Sequence, residues 1–239
     1  MIKFFRHIRQ RLLSENKFSK YLLYAIGEIL LVVIGILIAL SINNWNTNRN
    51  LRNLENELLH DIRENLVASV ENLEINISYN KKTVTNYEKI LSHIKEDLPY
   101  TNSLDSAFSY ISYWSEPNFT YTAYETLKSK GLDIIQNDTI KKSITEIYEQ
   151  TFPFVVDEFN AEWELYQTLV LPFVVKNIQY INTEIAKPIN FKGLKNNNEF
   201  KNLMGLKMVT RKNSIQFAEM TKKKATSLIV KIDEELERK

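Results

Sequence analysis

The sequence of 239 residues contains no cysteine and very little glycine or proline. The absence of cysteine excludes a disulfide scaffold, a thiolate metal site and a cysteine nucleophile. Five Gly and five Pro, against 12 Tyr, 12 Phe and three Trp, are too few for the closely spaced turns of β-sandwiches, β-barrels and glycine-rich phosphate-binding folds. The composition therefore predicts an all-α fold.

Histidine and net charge are also scarce. His7, His60 and His93 are too far apart to form one metal-ligand set, and a formal net charge of +2 is too small to indicate a nucleic-acid partner. The sequence has no nucleophile elbow, phosphate loop or HExxH motif. We therefore expect no enzymatic activity, no catalytic residue, no cofactor, no bound metal and no nucleic acid.

Residues 21–42 form a long apolar stretch, YLLYAIGEILLVVIGILIALSI, with one formal charge. A helix of this length extends for about 33 Å, enough to cross a bilayer core of about 30 Å. Two alternatives are a buried core helix and a signal peptide cleaved near Ala39-Leu40-Ser41. Because the stretch lacks a polar stripe and exceeds the length of a signal-peptide core, we predict an uncleaved transmembrane helix over 21–45.

The charges that flank the predicted span give its direction. The first 20 residues hold six basic side chains against Glu15, whereas the next 20 residues after the span hold only Arg49 and Arg52. Positive charge favours the cytoplasmic side, so we expect the tail 1–20 inside and the domain 46–239 outside. The tail is a basic amphipathic segment whose Lys3, Arg6 and Arg9 would contact lipid headgroups.

The ends and one face of the span carry further predicted contacts. Tyr21 and Trp45 are placed to act as interfacial anchors. A carboxylate inside a span is costly unless it faces protein or water, which singles out Glu28. Helical spacing puts Glu28 on one stripe that also allows close helix approach, and the predicted association residues are Ala25, Glu28, Val32, Gly35 and Ala39. The alternative is a carboxylate that snorkels to the headgroups from a monomeric span.

The N-terminal residues also carry a resemblance. KFSKYLLYAIGEILLVVIGILIALSINNWN, residues 17–46, resembles the signature of an uncharacterised family of bacterial single-pass membrane proteins, a domain of unknown function. YETLKS at 124–129, with Gly131, resembles the same family more weakly. The resemblance implies a short basic tail, one span in the inner membrane and a helical periplasmic region, and it brings no activity or catalytic residue.

Beyond the span, apolar residues recur at steps of three and four until Pro99, which predicts a long juxtamembrane helix continuous with the span. The spacing favours a bundle helix over a sustained coiled coil. Further helices are predicted, with a C-terminal cap at Gly131, an N-terminal cap at Asn137 or Asp138, and kinks at Pro153 and Pro172. A long loop at 178–198 and a C-terminal helix at 199–239 follow. The residues of this helix that we expect to face inward are Phe200, Leu203, Ile215, Ala218, Ala225, Ile229, Ile232 and Leu236. Together these elements predict an exterior helical bundle.

Two blocks of opposite charge indicate how the bundle closes. Residues 53–75 hold six acidic side chains against Arg63, and residues 195–224 hold eight basic ones against Glu199 and Glu219. We expect the C-terminal helix to return antiparallel along the juxtamembrane helix, with Ile229, Ile232 and Leu236 toward its membrane end. The alternative is that both blocks are solvated faces.

Aromatic residues are concentrated between positions 108 and 173, and we interpret them as core filling, with a ligand pocket between helices as the alternative. The residues are Phe108, Tyr110, Tyr113, Trp114, Phe119, Tyr121, Tyr124, Tyr148, Phe152, Phe154, Phe159, Trp163, Tyr166 and Phe173.

These observations predict a structural or interaction protein of the membrane, acting as a homo-oligomer or as the membrane subunit of a complex. One alternative is a ligand-binding sensor bundle that signals through a partner, for which a small-molecule ligand remains open. Another is a proton-coupled, stator-like subunit that uses Glu28, which rests on layout alone.

Overall fold

The structure, a computed structural model, describes residues 18–238, apart from the side chains of Phe18, Lys20 and Tyr21. The chain divides into two compact units, Met1–Leu54 and Glu55–Lys239. The described part of the first unit is entirely helical. The second unit adds further helices and two short strands, so the predicted all-α fold is confirmed.

The helices and strands follow one another with short connections. The helices are α1 Phe18–Lys95, α2 Asp105–Ser109, α3 Thr122–Lys130, α4 Asp138–Glu146, α5 Phe152–Leu165, α6 Leu171–Asn177, α7 Phe191–Asn196 and α8 Asn198–Glu237. The strands are β1 Ile178–Tyr180 and β2 Ala186–Pro188, and 3₁₀ turns lie at Asn102–Leu104, Tyr110–Ser112 and Leu132–Ile134. The predicted long helix is confirmed, and it continues without a break to Lys95.

The second unit consists of four passes, of which the first is the part of α1 from Glu55 onward. Residues 96–137 return along this part as short helical turns and extended chain. Hydrogen bonds mark the return at successive levels: Lys89 to the Ser103 carbonyl, Asn76 to the Ser115 carbonyl and the Gln136 amide to Glu55. The second pass is therefore antiparallel to the first.

Residues 138–177 form the third pass, and α8 forms the fourth. Lys224 of α8 pairs with Glu146 at 2.6 Å, and Phe217 lies against Phe154, which makes these two passes antiparallel. The ion pairs between α8 and α1 are Asp233–Arg63, Lys222–Glu74, Glu219–Lys81 and Lys212–Glu88. The predicted antiparallel return of the C-terminal helix is confirmed, with Asp233 beside Arg63.

Both long helices bury a seam with heptad spacing, steps of three and four residues alternating throughout. On α1 the seam is Glu55, Leu59, Ile62, Leu66, Ser69, Leu73, Asn76, Asn80, Thr83, Tyr87 and Ile90. On α8 it is Phe200, Met204, Lys207, Arg211, Ser214, Ala218, Thr221, Ala225, Leu228 and Ile232. The prediction of a bundle helix with one buried face is confirmed for α1, and this face includes polar residues that a search for apolar spacing does not find.

The third pass stays helical through two prolines. Wide π-helical turns at Ile147–Thr151 and Tyr166–Val170 precede Pro153 and Pro172, which then lie in the first turns of α5 and α6. Proline has no amide proton and clashes with the carbonyl four residues earlier, and a π turn displaces that carbonyl. At each of the two positions where a kink was predicted, the helix therefore forms a π turn before the proline.

Local capping chemistry behaves as predicted at two positions. Gly131 follows α3 with φ of 107°, a conformation that L side chains rarely adopt. Asn137 caps α4, and its side chain accepts hydrogen bonds from the amides of Thr139 and Ile140. The C-terminal end of α3 and the start of α4 are thus fixed by capping residues that can be recognised from the sequence.

The predicted long loop at 178–198 was wrong. Its first part is the β1–β2 hairpin, paired antiparallel with Gln179 opposite Lys187, and its last part is α7. Buried Ile178 and Ala186 anchor the hairpin to the core, so tertiary packing overrides a composition rich in Asn and Lys.

The register of α8 on α1 predicts a crosslink. With Arg63→Cys and Asp233→Cys in this cysteine-free chain, a short bismaleimide should join the two positions within one molecule, because Arg63 and Asp233 are in contact. The readout is a faster-migrating monomer band that is independent of protein concentration.

Arg63→Cys with Lys222→Cys is the matched control, since Lys222 pairs with Glu74, which lies about 16 Å further along the helix. Equal crosslinking of the two pairs, or bands only between molecules, would contradict the register.

Candidate functional site

The predicted association stripe lies on the first unit. Its members, Ala25, Glu28, Val32, Gly35 and Ala39, share one face of α1 because their steps alternate between three and four. A Cβ added at Gly35 would meet no atom within 4 Å, so the described chain leaves this face open there. Association through this stripe stays a prediction.

The predicted membrane anchors are only partly described. Trp45 is 63% exposed, and the Arg49 guanidinium lies 5.8 Å from the centre of its ring, an attractive cation–π arrangement. The side chain of Tyr21 and the predicted headgroup contacts Lys3, Arg6 and Arg9 lie outside the described residues.

A buried polar layer joins three passes of the second unit. Arg211 on α8 is fully buried, and its Nη2 lies 2.6 Å from Oε1 of Glu162 on α5. Its Nη1 donates to Oδ1 of Asn80 on α1 at 2.8 Å. A buried ion pair needs such added hydrogen bonds to offset its desolvation, so the three side chains act as one unit, which we call the polar layer.

Hydrogen bonds extend the polar layer toward the second pass. The Asn80 side-chain amide donates to Oδ1 of Asn76, and Nδ2 of Asn76 donates to the Ser115 carbonyl at 2.8 Å. Arg211 also donates to the Tyr113 carbonyl at 3.3 Å, and Ser214 donates to Glu162 at 3.3 Å. All four passes therefore contribute to this interior network.

Lys207 lies one helical turn from Arg211 and is also buried. Its ammonium is 5.7 Å from the centre of the Tyr87 ring and 5.6 Å from that of Tyr166. Burial, followed by the neighbouring Arg211 cation, lowers the pKa of Lys207 to about 7 against the opposing effect of Glu162. This lysine is therefore placed to change charge near neutral pH.

An open groove of about 1250 Å³ lies next to this interior network. Its walls come from α1, from the second pass, from the third pass and from the β1–β2 hairpin. The aromatic lining residues are Tyr79, Tyr110, Tyr113, Trp114, Trp163, Tyr166 and Tyr180. We call this site the aromatic groove.

The rings of the aromatic groove support one another. Tyr79 stacks on Tyr113 with centres 5.3 Å apart. Trp163 stacks on Tyr166 at 5.3 Å and lies 5.2 Å from Trp114. Each of these five rings is thus packed against another ring, while Tyr79 remains 44% exposed and Trp163 38% exposed.

The polar lining of the groove is mostly uncharged. Hydroxyl and amide side chains contribute most of it, and the charged groups are Lys82 on α1 and Glu184 in the hairpin turn. Lys82 lies 5.6 Å from the centre of the Tyr110 ring, and its pKa is raised mainly by Tyr110. The groove therefore combines flat apolar faces with neutral hydrogen-bonding groups.

All but two of the predicted aromatic residues, Tyr121 and Phe154, lie either in the core or in the groove. Phe108, Phe119, Tyr124, Tyr148, Phe152, Phe159 and Phe173 are buried, as the core interpretation requires. Tyr110, Tyr113, Trp114, Trp163 and Tyr166 line the groove instead. Within residues 18–238, no three His, Asp or Glu side chains gather as a metal site.

The buried polar residues of α8 were not predicted from the sequence. Ile215, Ile229 and Leu236 were predicted to face inward, yet these three are only half-buried. The buried positions are Lys207, Arg211 and Ser214, flanked by Met204 and Ala218. Extending the heptad from Ala218 and Ala225 back through polar residues would have located them.

The chain belongs to a family of unknown function, DUF6090, whose model matches residues 28–214. The matched region includes part of the apolar stretch, the polar layer and the whole aromatic groove. Membership of an uncharacterised family, predicted from the N-terminal residues, is confirmed. None of the curated proteins and none of the solved structures compared with the chain matches it significantly.

The depressed pKa of Lys207 predicts a pH-dependent stability change on Lys207→Met. Below pH 7 the lysine is charged in both folded and unfolded states, so the folded state bears the full cost of a buried ammonium. Between about pH 7 and 10.4 only the unfolded state holds the proton, and stability rises with pH. Lys207→Met should therefore stabilise by about 1 to 3 kcal/mol at pH 6, and the gain should fade toward pH 10.

Thermal unfolding of the full chain in detergent, followed by circular dichroism at pH 6, 8 and 10, measures this difference. Lys212→Met is the control, since Lys212 is exposed on the same helix and pairs with Glu88. A gain that does not change with pH, or a loss at pH 6, would contradict the prediction.

Proposed function

We propose that this member of the family is a membrane-anchored interaction protein that acts without catalysis of its own. The observation that carries the proposal is an 18-residue window of α1 with mean hydropathy 2.7, of which no part is buried. Apolar surface in water costs about 25 cal/mol per Å², so this helix needs an apolar surround. A bilayer supplies one for a helix of about 20 residues.

The charge pattern supports an orientation. Lys3, Arg6 and Arg9 belong on the cytoplasmic side of a bacterial inner membrane, and residues 46–239 in the periplasm. Trp45 with Arg49 at one end of the span fits an interfacial anchor, and Tyr21 fits the other end. Retention of the span is supported by α1, which passes through Ala39–Ser41 without a break.

The proposed partner of the span is another helix, either a second copy or a membrane subunit of a complex. The stripe with Gly35 and Ala39 permits close backbone approach, and Glu28 would hydrogen-bond across the interface. A proton-coupled, stator-like role for Glu28 is the remaining alternative.

A second function, ligand binding by a sensor bundle that signals through a partner, is favoured by the aromatic groove. The groove is concave, lined by aromatic faces and bounded by a few polar groups, which is the usual composition of a binding site. It lies wholly within the second unit and therefore outside the proposed span.

Reporter fusions test the anchor and its orientation. Alkaline phosphatase fused after Lys239 should be active and green fluorescent protein at the same position dark, because positive charge holds the tail inside. The same reporters fused after Asn16 should give the opposite pattern. A fluorescent fusion after Lys239 would contradict the topology, and an extracted protein whose mass lacks residues 1–41 would show a cleaved signal peptide instead.

The association stripe predicts an effect of Gly35→Leu. A Cβ at position 35 has open space around it, whereas a leucine side chain there would separate two helices packed at this face. Self-association of the full protein in detergent, followed by energy transfer between labelled copies, should weaken several-fold. Leu37→Ala, on the opposite face of α1, should leave it unchanged, and equal behaviour of the two variants would favour a monomeric span with a snorkelling Glu28.

A further inference from the structure

We propose that the aromatic groove is a carbohydrate-binding site that takes a neutral, linear chain of pyranose sugars. The inference deepens the second candidate function, ligand binding, and does not depend on the association of the span. It rests on three features of the groove: exposed ring faces, neutral groups that both donate and accept hydrogen bonds, and balanced charge.

The exposed rings match the shape of a sugar. Tyr79 is 44% exposed, Trp163 38% and Tyr180 38%, which is unusual for aromatic residues gathered in one concave site. A pyranose ring has an apolar C–H face and a polar edge of hydroxyls. Such a ring can cover an aromatic face and keep its hydroxyls hydrogen-bonded, which a purely apolar ligand cannot do at this mixed surface.

The polar lining matches hydroxyl chemistry. Ser106, Ser112 and Thr183 line the groove, and each hydroxyl both donates and accepts hydrogen bonds. Sugar hydroxyls do the same, so each contact can form in either direction. A proline-rich peptide, the other ligand typical of aromatic-lined grooves, offers mainly carbonyl acceptors and would leave the acceptor capacity of these groups unused.

The charge of the groove argues for a neutral ligand. Lys82 and Glu184 are its two charged lining residues, and they are close enough for Glu184 to raise the pKa of Lys82. A polyanion such as a nucleic acid requires several cations along its path. With one charge of each sign, the groove offers too little opposite charge to bind either a polyanion or a polycation.

The groove is preformed and has room for several sugar units. The Tyr180 hydroxyl accepts from the Ser112 amide at 3.1 Å and lies 3.2 Å from the Ser109 carbonyl, which ties the hairpin to the second pass. The turn is closed by Asn182, whose side chain accepts from the amides of Glu184 and Ile185. The volume of the groove, about 1250 Å³, exceeds the roughly 300–1,000 Å³ of small-molecule sites.

Titration of the full chain in nanodiscs with neutral oligosaccharides tests the proposal. The panel is maltoheptaose, cellopentaose and penta-N-acetylchitopentaose, read by calorimetry and by tryptophan fluorescence. In a Trp45→Phe background only Trp114 and Trp163 remain, and both line the groove. At least one sugar should give saturable binding with a fluorescence shift.

Ring-removal variants assign the site. Tyr79→Ala and Trp163→Ala should weaken binding by more than about tenfold, whereas Tyr79→Phe, which keeps the ring, should retain most of it. Phe154→Ala is the matched control, because Phe154 is 48% exposed and lies outside the groove. Circular dichroism melting confirms that each variant is folded.

The proposal is overturned if none of the three sugars binds, if the ring-removal variants bind as well as wild type, or if a proline-rich peptide binds the groove and the sugars do not. Membrane anchoring is measured separately by the reporter fusions, so a failure of sugar binding leaves that result intact.

Discussion

The fold of the second unit depends on the pairing of Arg211 with Glu162 in its interior. A guanidinium keeps its charge at every relevant pH, so a fully buried one must be given an anion and acceptors. Glu162 on α5 supplies the anion and Asn80 on α1 an amide oxygen. A slip of one helix by a turn, about 5.4 Å, leaves a buried charge unpaired at a cost of about 3 to 5 kcal/mol. The pair therefore selects one alignment of three helices, whereas apolar seam residues of similar size would also pack in neighbouring registers.

This constraint explains which parts of the fold can be predicted from the sequence. The long helix α1 is predictable because no Gly or Pro interrupts 46–95, and the ends near Gly131 and Asn137 are predictable because their chemistry is local. The α8 seam is not, because Lys207, Arg211 and Ser214 have the composition of a solvent-facing stripe. A search for apolar positions alone selects Ile215 and Ile229 in their place, and only the strict alternation of three and four reveals the buried face.

The aromatic groove is less predictable, because its walls come from segments far apart in the chain. Tyr79 on α1, Tyr113 in the second pass and Trp163 on α5 converge only after four passes are aligned. The hairpin that forms one wall lies in a stretch rich in Asn and Lys, where composition predicts a loop. Its stability comes from burial of Ile178 and Ala186 against the core. The residues that cover these two side chains belong to other parts of the chain, so the hairpin is not predictable from its own segment. Aromatic content indicated a core or a pocket, and the structure contains both.

The interior network and the groove wall are in direct contact. Arg211 donates to the Tyr113 carbonyl, Tyr87 donates to the Tyr110 carbonyl, and the Lys207 ammonium lies behind the Tyr166 ring. Three aromatic residues of the groove wall are thus held from behind by groups of the bundle interior. A ligand that stacks on these rings meets a surface whose ordering cost has already been met during folding, which favours affinity. The interior groups that fix helix alignment therefore also hold Tyr110, Tyr113 and Tyr166 in the groove wall.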